Sequence, residues 1–81
     1  MPDRLDPVED DVVATVVAVW ADVLGEATVD ADIGFFDLGA TSFLVMEVVG
    51  RLRQRWPDLK VTDVFAHPTA AALAAHLEGH A

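Results

Sequence analysis

The nonapeptide FFDLGATSF (residues 35–43) places an aromatic pair, an acid and Leu-Gly directly before Thr41 and Ser42. After it, apolar residues recur with a helical period, so a helix should begin near Ser42. A serine at the start of a helix has three ordinary uses: it caps the helix, acts as a nucleophile, or carries an attached group. The remaining sequence has to distinguish these three.

Three helices are predicted between this segment and the C-terminus. The second helix of the protein covers residues 42–56 and ends before Pro57, which cannot continue it. A short third helix covers residues 62–67, and Thr69 caps a fourth over residues 69–79. The residues expected to face the core are Leu44, Val45, Val48, Val49, Leu52, Leu73 and Leu77.

The sequence before this segment predicts a first helix over residues 7–24. Asp6 suits the N-cap, Pro7 the first helical position and Glu9 the reciprocal arm of a capping box. The many valines favour a strand by propensity, but the length of the segment and Gly25 at its end favour a helix. The apolar stripe consists of Val13, Val16, Val17, Trp20, Val23 and Leu24.

Residues 26–41 form a long connection, and a loop of this length is usually functional or held by its own apolar side chains. We expect Trp20 in the core and Phe35 or Phe36 as the residue that holds the loop against it. The available apolar side chains are Val29, Ile33, Phe35, Phe36 and Leu38. The expected fold is an all-α, small four-helix bundle in one domain (1–81), with a long loop between helices 1 and 2 and a short helix 3.

Composition excludes several classes of protein. The 81 residues are 53% hydrophobic, which indicates a folded core, and they include no cysteine for disulfides or thiolate metal sites. No apolar stretch is long enough to span a bilayer, and the acidic N-terminus does not resemble a signal peptide, so we expect a cytoplasmic protein without a membrane partner. Met1 and the ending soon after the fourth helix suggest a free-standing protein, although an excised domain would look the same.

The net charge of −9 lies entirely in the first half of the chain. Residues 1–41 contain ten acids against Arg4, which gives −9, whereas the four acids and four bases of residues 42–81 cancel. Binding to a phosphate backbone needs a concentrated basic face, and only one short basic stretch is present. Nucleic acid is therefore not an expected partner.

Catalysis and metal binding by this chain are both disfavoured. The hydrolase elbow is Gly-x-Ser-x-Gly, whereas Ser42 is followed by Phe43 and Leu44. A bundle of this size also leaves little room for a substrate pocket beside an oxyanion hole. The histidines, His67, His76 and His80, lack the spacing of a metal site, and the last two are expected to be exposed to solvent.

Attachment of another group is the third possible use of a serine at the start of a helix. A transferred phosphate-linked group needs an exposed hydroxyl, and its product phosphodiester is stabilised by the amides and dipole of a helix N-terminus. Ser42 occupies such a position, and Gly39 gives the backbone freedom to present it.

At these residues the sequence resembles the carrier domains of nonribosomal peptide and polyketide synthesis. FFDLGATSF is similar to the attachment motif of that family, and the resemblance covers nearly the whole chain. The other matching blocks are WADVLG (20–25), MEVVGRLRQRW (46–56) and VTDVFAHPTAAALAAHLE (61–78). Four blocks in the expected order are much more specific than one Gly-x-x-Ser. The fold implied is the acyl-carrier-protein type of four-helix bundle.

The resemblance implies a covalent cofactor on Ser42, 4′-phosphopantetheine from coenzyme A, with Gly39 and Thr41 forming part of the site. A separate phosphopantetheinyl transferase would attach the arm, and an adenylation or acyltransferase enzyme would load its thiol. Condensation, ketosynthase or tailoring enzymes would act next. The protein itself would be a non-catalytic, monomeric carrier that presents a tethered substrate at high effective concentration.

The type of carrier is less constrained by the sequence. Ala40, Thr41 and Phe43 depart from the usual residues of the motif, and each lies where partners contact such a protein. Phe43 and Met46 fall outside the inward stripe and, with Glu47, are expected to form the partner surface. A peptidyl carrier is favoured and a polyketide acyl carrier is the alternative. A small helical adaptor without a prosthetic group, in which Ser42 is only a cap, is the alternative of a different class.

Overall fold

Four α-helices make up the regular structure of residues 11–79, which are the residues that the computed structural model describes. The helices are α1 (Val12–Leu24), α2 (Ser42–Leu52), α3 (Val61–Ala66) and α4 (Ala70–Glu78). Within that range, β-structure is limited to one isolated antiparallel bridge between Gly34 and Thr69. The predicted all-α class, long first loop and short third helix are confirmed.

Helix α1 begins later than the sequence predicted. Its N-cap is Asp11, whose Oδ1 accepts a hydrogen bond from the Ala14 amide at 3.0 Å, and the first helical residue is Val12. The predicted start at residue 7 is therefore wrong, because Asp11 supplies the capping carboxylate. The predicted capping box of residues 6–9 lies outside the described residues. The end is as predicted, at Gly25 with φ 75°.

Helix α2 ends at Leu52, four residues before the predicted end at Trp56. The following residues tighten into turns, in which the amides of Gln54 and Arg55 donate to carbonyls three residues earlier, at 3.2 and 3.0 Å. Such i→i+3 bonds commonly replace the α-helical pattern at a helix end. Helices α3 and α4 agree with prediction to within one residue at each end. The predicted cap of α4 is confirmed, since Thr69 Oγ1 accepts from the Ala72 amide.

A stacked pair of aromatic rings lies in the core. Trp20 of α1 and Phe35 of the long loop are both fully buried, and their ring centroids lie 3.9 Å apart at an interplanar angle of 19°. Aromatic pairs of this kind add to the stabilisation that burial of their area already gives. The prediction that Trp20 is a core residue is confirmed, and Phe35 is the residue that holds the loop.

Phe36, the other candidate for that role, does not reach the core. Its side chain is 41% exposed and stacks on Phe65 of α3 at a centroid distance of 5.3 Å. Both residues lie in a turn, where Phe35 already takes the inward position, so its neighbour projects to another side. Ile33 is likewise 41% exposed, which corrects the expectation that it holds the loop, whereas Val29 is buried as expected.

Backbone hydrogen bonds fasten the long loop to the junction of α3 and α4. The Phe35 amide donates to the Pro68 carbonyl at 2.7 Å, and the Ala71 amide donates to the Ala31 carbonyl at 3.0 Å. Buried backbone groups need such partners, and here a distant segment supplies them. The loop therefore has a fixed path although it contains no regular structure of its own.

Helices α3 and α4 are also connected by a small polar cluster. His76 Nε2 lies 3.4 Å from Asp63 Oδ1, and the His76 ring stacks on His67 at 4.5 Å between centroids. The expectation that His76 is exposed is wrong, because its side chain is only 19% accessible. His80 lies outside the described residues.

Asp63 makes the folded state sensitive to acid. Its Oδ2 accepts a hydrogen bond from the Lys60 amide at 2.9 Å. This bond and the nearby His76 lower the pKa of Asp63 below its ordinary value of 3.8. A carboxyl whose pKa is lower in the folded state stabilises the fold above its ordinary pKa, and that contribution is lost as the pH falls.

Asp63→Asn should therefore lower the melting temperature at neutral pH and matter less in acid. The amide keeps the size of the side chain but removes the charge that the Lys60 amide and the helix N-terminus favour. We expect the difference in melting temperature between wild type and variant to narrow as the pH falls below about 4, because the carboxyl of the unfolded chain is protonated first and the contribution of Asp63 is then lost as the pH falls through its lower pKa in the folded state. Circular dichroism melts at several pH values measure it. A difference that stays constant across this range would contradict the assignment.

Candidate functional site

Ser42 is the first residue of α2, and its side chain is exposed. The N-cap is Thr41, which has extended backbone angles and whose Oγ1 accepts a hydrogen bond from the Leu44 amide at 3.3 Å. The interpretation of Ser42 as the helix cap is therefore wrong. The two neighbouring hydroxyls have different roles, since Thr41 caps the N-terminus of α2 and Ser42 is exposed on its first turn.

Gly39 determines how the chain enters this helix. Its φ of 101° lies in the left-handed region, which side chains other than glycine rarely adopt. A Cβ at this position would meet nothing within 4 Å, so the constraint is one of backbone conformation and not of space. The turn directs Ala40 into the core, and Thr41 and Ser42 then follow on the surface.

The surroundings of Ser42 suit a negatively charged substituent. The first turn of α2 reads SFLV and contains no acidic side chain that would repel one. Amides at a helix N-terminus point outwards and carry a partial positive charge, which favours phosphate groups. The site can therefore hold a phosphodiester on the Ser42 oxygen without a cationic side chain.

Phe43 and Met46 are exposed beside Ser42, as the sequence predicted. Their exposed fractions are 76% and 62%, the two largest among the large hydrophobic residues that the structure describes. They lie one and four residues beyond Ser42, so the helix brings them to the same side of its N-terminal turns. We call Phe43 and Met46 the α2 patch.

Glu47, the third residue of the predicted partner surface, is already engaged within the protein. Its Oε2 lies 3.1 Å from Nη2 of Arg51, and Nη1 of Arg51 pairs with Asp22 of α1. The hydrogen bond that Arg51 donates to Asp22 is the main cause of the raised pKa of Arg51, and Glu47 adds to it. Glu47 thus helps to position an arginine that links α1 to α2, and all three side chains are exposed.

Sequence reasoning missed the exposed pair of Phe36 and Phe65. Phe65 is 48% exposed and lies on α3, where Val64 is the buried residue. A signal was present, because on a helix a residue directly after an inward-facing one points about 100° away from it. The stacking of Phe65 on a loop residue could not be predicted from periodicity.

The described part of the chain also contains a cavity that lies away from Ser42. A cavity of about 580 Å³ borders the connection from α2 to α3, and none of its lining residues belongs to the long loop or the first turn of α2. Residues 11–79 contain no group of three or more His, Cys, Asp or Glu side chains arranged to hold a metal ion. Over the same residues, no helix is long and apolar enough to cross a membrane.

Comparison with known proteins shows the family to which this chain belongs. A family model described as "Phosphopantetheine attachment site" matches residues 14–77. The isonitrile lipopeptide synthase of Streptomyces coeruleorubidus is 46% identical over 65 residues, which are 79% of this chain and 4% of that protein. The chain thus spans only a small part of the curated relatives it matches.

Solved structures show the same fold. A structure described as "Non Ribosomal PCP domain" is 36% identical, with a TM-score of 0.71 and coverage of 93% of this chain and 90% of that one. The carrier in a complex of the phosphopantetheine transferase Sfp with coenzyme A and a peptidyl carrier protein is 24% identical. Its TM-score is 0.79, and the match covers 96% of this chain and 95% of that one.

Proposed function

Because this chain belongs to the family of phosphopantetheine attachment-site carrier domains, we propose that it holds an aminoacyl or acyl group on a 4′-phosphopantetheine arm at Ser42. One observation carries the assignment to this residue: Ser42 is exposed at the N-terminus of α2 while Thr41 performs the capping. When bound, the arm supplies a terminal thiol on which the substrate is held as a thioester.

The residues around Ser42 have distinct tasks in this proposal. The Ser42 oxygen forms a bond to the phosphorus that carries the pantetheine group of coenzyme A, and the bond from that phosphorus to the bridging oxygen breaks, so that 3′,5′-ADP leaves. The hydroxyl proton passes to a base of the transferase. Gly39 and Thr41 fix the direction in which that oxygen points. The amides of the first turn stabilise the charge of the phosphodiester. The chain provides no step of its own beyond presenting this hydroxyl, so we propose a carrier that is not itself an enzyme.

The relatives favour a peptidyl carrier over a polyketide acyl carrier. Relatives at 36–41% identity include two proteins named as nonribosomal peptide synthetases and a structure described as a nonribosomal PCP domain. We therefore place the protein in nonribosomal peptide synthesis, working in the cytoplasm with a transferase, a loading adenylation enzyme and downstream condensation or tailoring enzymes. The chain corresponds to a small part of those synthetases, and the tethered acid is not specified by its residues.

The adaptor alternative makes a different prediction for intact mass. After incubation with coenzyme A and the transferase Sfp, the proposed carrier gains the mass of one phosphopantetheinyl group. A helical adaptor that lacks a prosthetic group retains its original mass. The adaptor reading also loses its premise, since Thr41 and not Ser42 caps α2.

Phe43→Ala or Met46→Ala should weaken loading of the modified protein by several-fold without unfolding it. Both side chains are exposed next to the attachment point, and truncation of an apolar interface residue costs binding free energy. Loading by the partner adenylation enzyme is measured by mass, with Met46→Leu as a control that keeps the apolar volume. Moderate salt should affect loading less than either substitution, because apolar contacts are not screened. Loading that collapses with salt but ignores both substitutions would contradict a role for the α2 patch.

A further inference from the structure

Two histidines are in ring contact at the junction of α3 and α4. The rings of His67 and His76 stack with their centroids 4.5 Å apart and an interplanar angle of 22°. Both side chains are half-buried, and His76 Nε2 lies 3.4 Å from Asp63 Oδ1. We call His67 and His76 the histidine pair. Attachment of an arm to Ser42 makes no direct use of it, although histidine is the side chain whose charge ordinarily changes between about pH 5 and 8.

The histidine pair is adjacent to the backbone that holds the long loop. Pro68 directly follows His67, and its carbonyl accepts a hydrogen bond from the Phe35 amide at 2.7 Å. The Phe35 carbonyl in turn accepts a hydrogen bond from the Ala40 amide at 3.1 Å, and Ser42 lies two residues beyond Ala40. Two backbone hydrogen bonds therefore connect the residue after His67 to the turn that presents Ser42.

His67 is held both by its backbone and by its ring. Its amide donates to the Asp63 carbonyl at 2.9 Å, as the C-cap of α3. Its ring lies against His76, which belongs to the last turn of α4. The ring contact thus joins the end of α3 to α4 and restricts the backbone of the segment that contains Pro68. When the rings separate, this restraint is lost while the helices keep their own hydrogen bonds.

The charges around the histidine pair permit one proton readily and oppose the second. More carboxylates than bases face the pair from α3, α4, the connection from α2 to α3 and the loop, so the surroundings do not exclude protons. These groups are Asp37, Asp58, Asp63 and Glu78, with Arg55 and Lys60 as the bases. Helix α1 contributes only the uncharged Val12 to the lining of the cavity that His76 borders. A second proton places two cationic rings 4.5 Å apart, and like charges at that distance repel.

We propose that the histidine pair positions Ser42 and does so in a proton-dependent way. The stack, intact while the pair carries at most one proton, fixes the Pro68 carbonyl that holds the loop, and a second proton separates the rings and releases it. The consequence for modification rests on the proposed function of Ser42. Once the Phe35 amide is released, fewer molecules present the serine in the direction that phosphoryl transfer requires. The carrier is then modified readily at neutral pH and less readily in mild acid.

Amide hydrogen exchange of the whole protein, followed by NMR, tests the release directly. Neutral pH and mild acid here mean about pH 7 and about pH 5, the range in which histidine titrates. The protection factor of the Phe35 amide should fall about tenfold from neutral pH to mild acid, because uptake of one proton can shift an equilibrium by up to about tenfold per pH unit. The amide of Trp20, inside α1, should change less than about twofold, since it opens with the whole fold.

His67→Phe is the informative variant, because phenylalanine keeps a flat ring against His76 and cannot bind a proton. Protection of the Phe35 amide should match that of wild type at neutral pH and persist in mild acid. His67→Gln, which has no ring to stack, should show reduced protection under both conditions. His80→Gln removes a histidine that is not part of the pair and should behave as wild type.

Modification kinetics connect the release to Ser42. In each buffer, kcat/KM with Sfp and coenzyme A is measured for wild type and for His67→Phe. The ratio of the two values cancels the response of the transferase itself to pH. This ratio of variant to wild type should be near one at neutral pH and should rise severalfold in mild acid, where only wild type loses the anchored loop.

The outcomes distinguish the proposed function from the inference. Wild type that gains no mass overturns the proposed function of Ser42. Protection of the Phe35 amide that falls no more than that of Trp20 overturns the proton-dependent release, whether or not an arm is attached. A loss of protection that persists in folded His67→Phe also overturns it, because other groups then cause the loss. A kcat/KM ratio that stays near one in mild acid overturns the positioning of Ser42 by the histidine pair.

Discussion

Ser42→Ala is expected to abolish attachment of the phosphopantetheine arm and to leave the four-helix fold intact. Ser42 is the only serine in the chain, and the neighbouring hydroxyl of Thr41 is occupied in capping α2. Because the substituted residue is not the cap, the free energy of unfolding should change by less than about 0.7 kcal/mol, the range of helix propensities of ordinary residues. Intact mass after incubation with Sfp and coenzyme A, together with a thermal melt, measures both effects.

Thr41→Ala is the matched control for this experiment. It removes the hydroxyl that accepts from the Leu44 amide, so it should cost about 1 kcal/mol of stability and slow modification without abolishing it, because the Ser42 hydroxyl is still present. The two variants thus separate the capping role from the attachment role at adjacent positions. If the Ser42→Ala protein still gained the mass of the arm, the assignment of the site would be wrong.

Trp20→Ala and Phe35→Ala should each destabilise the protein by about 3–5 kcal/mol. Each truncation removes one ring of a pair whose centroids lie 3.9 Å apart, in a site with no exposed surface. Small domains are stable by only about 5–15 kcal/mol, so a substantial fraction of either variant is expected to unfold near room temperature in mild denaturant. Denaturant titration followed by circular dichroism measures the change.

Phe43→Ala and Trp20→Phe serve as comparison variants for this prediction. Phe43→Ala removes an aromatic ring of the same size from an exposed position and should cost less than about 0.5 kcal/mol. Trp20→Phe keeps a ring against Phe35 and should cost less than Trp20→Ala. It also removes an indole Nε1–H that is buried without a hydrogen-bond partner in the described structure. Small and equal effects of Trp20→Ala, Phe35→Ala and Phe43→Ala would mean that the faces of the fold are assigned wrongly.

The local pattern of the sequence was sufficient for the number and order of the helices and for most of their inward residues, but not for the start of α1, the end of α2 or the burial of Leu44, which is only half-buried. Val45, Val48 and Leu52 recur at helical spacing, and all three are buried. It was not sufficient to choose between Thr41 and Ser42 as the cap, because both residue types cap well. The left-handed turn at Gly39 and the burial of Ala40 decide between them, and both are properties of the folded loop.

Contacts between segments that are distant in sequence could not be predicted from the periodicity of apolar residues. The sequence narrowed the loop anchor to Phe35 or Phe36, but only the stack on Trp20 identifies Phe35. The expectation that His76 is exposed failed for a similar reason, since its partner Asp63 lies thirteen residues away on another helix. Short-range spacing describes which side of an element is apolar, whereas these pairings depend on how the elements are packed.

The hydrogen bonds that join the long loop to residues 68 and 71 also bear on the order of events during synthesis. A growing chain that has just completed α2 already contains Ser42 but has not yet made the carbonyl of Pro68 or the amide of Ala71. Contacts between segments so far apart in sequence form late, because a long stretch of chain must first be brought together. The loop leading to the serine therefore acquires its final path only when nearly the whole domain has left the ribosome. Under the proposed function, a transferase that recognises the shape of this loop is therefore expected to modify the folded domain and not a nascent chain that ends at α2.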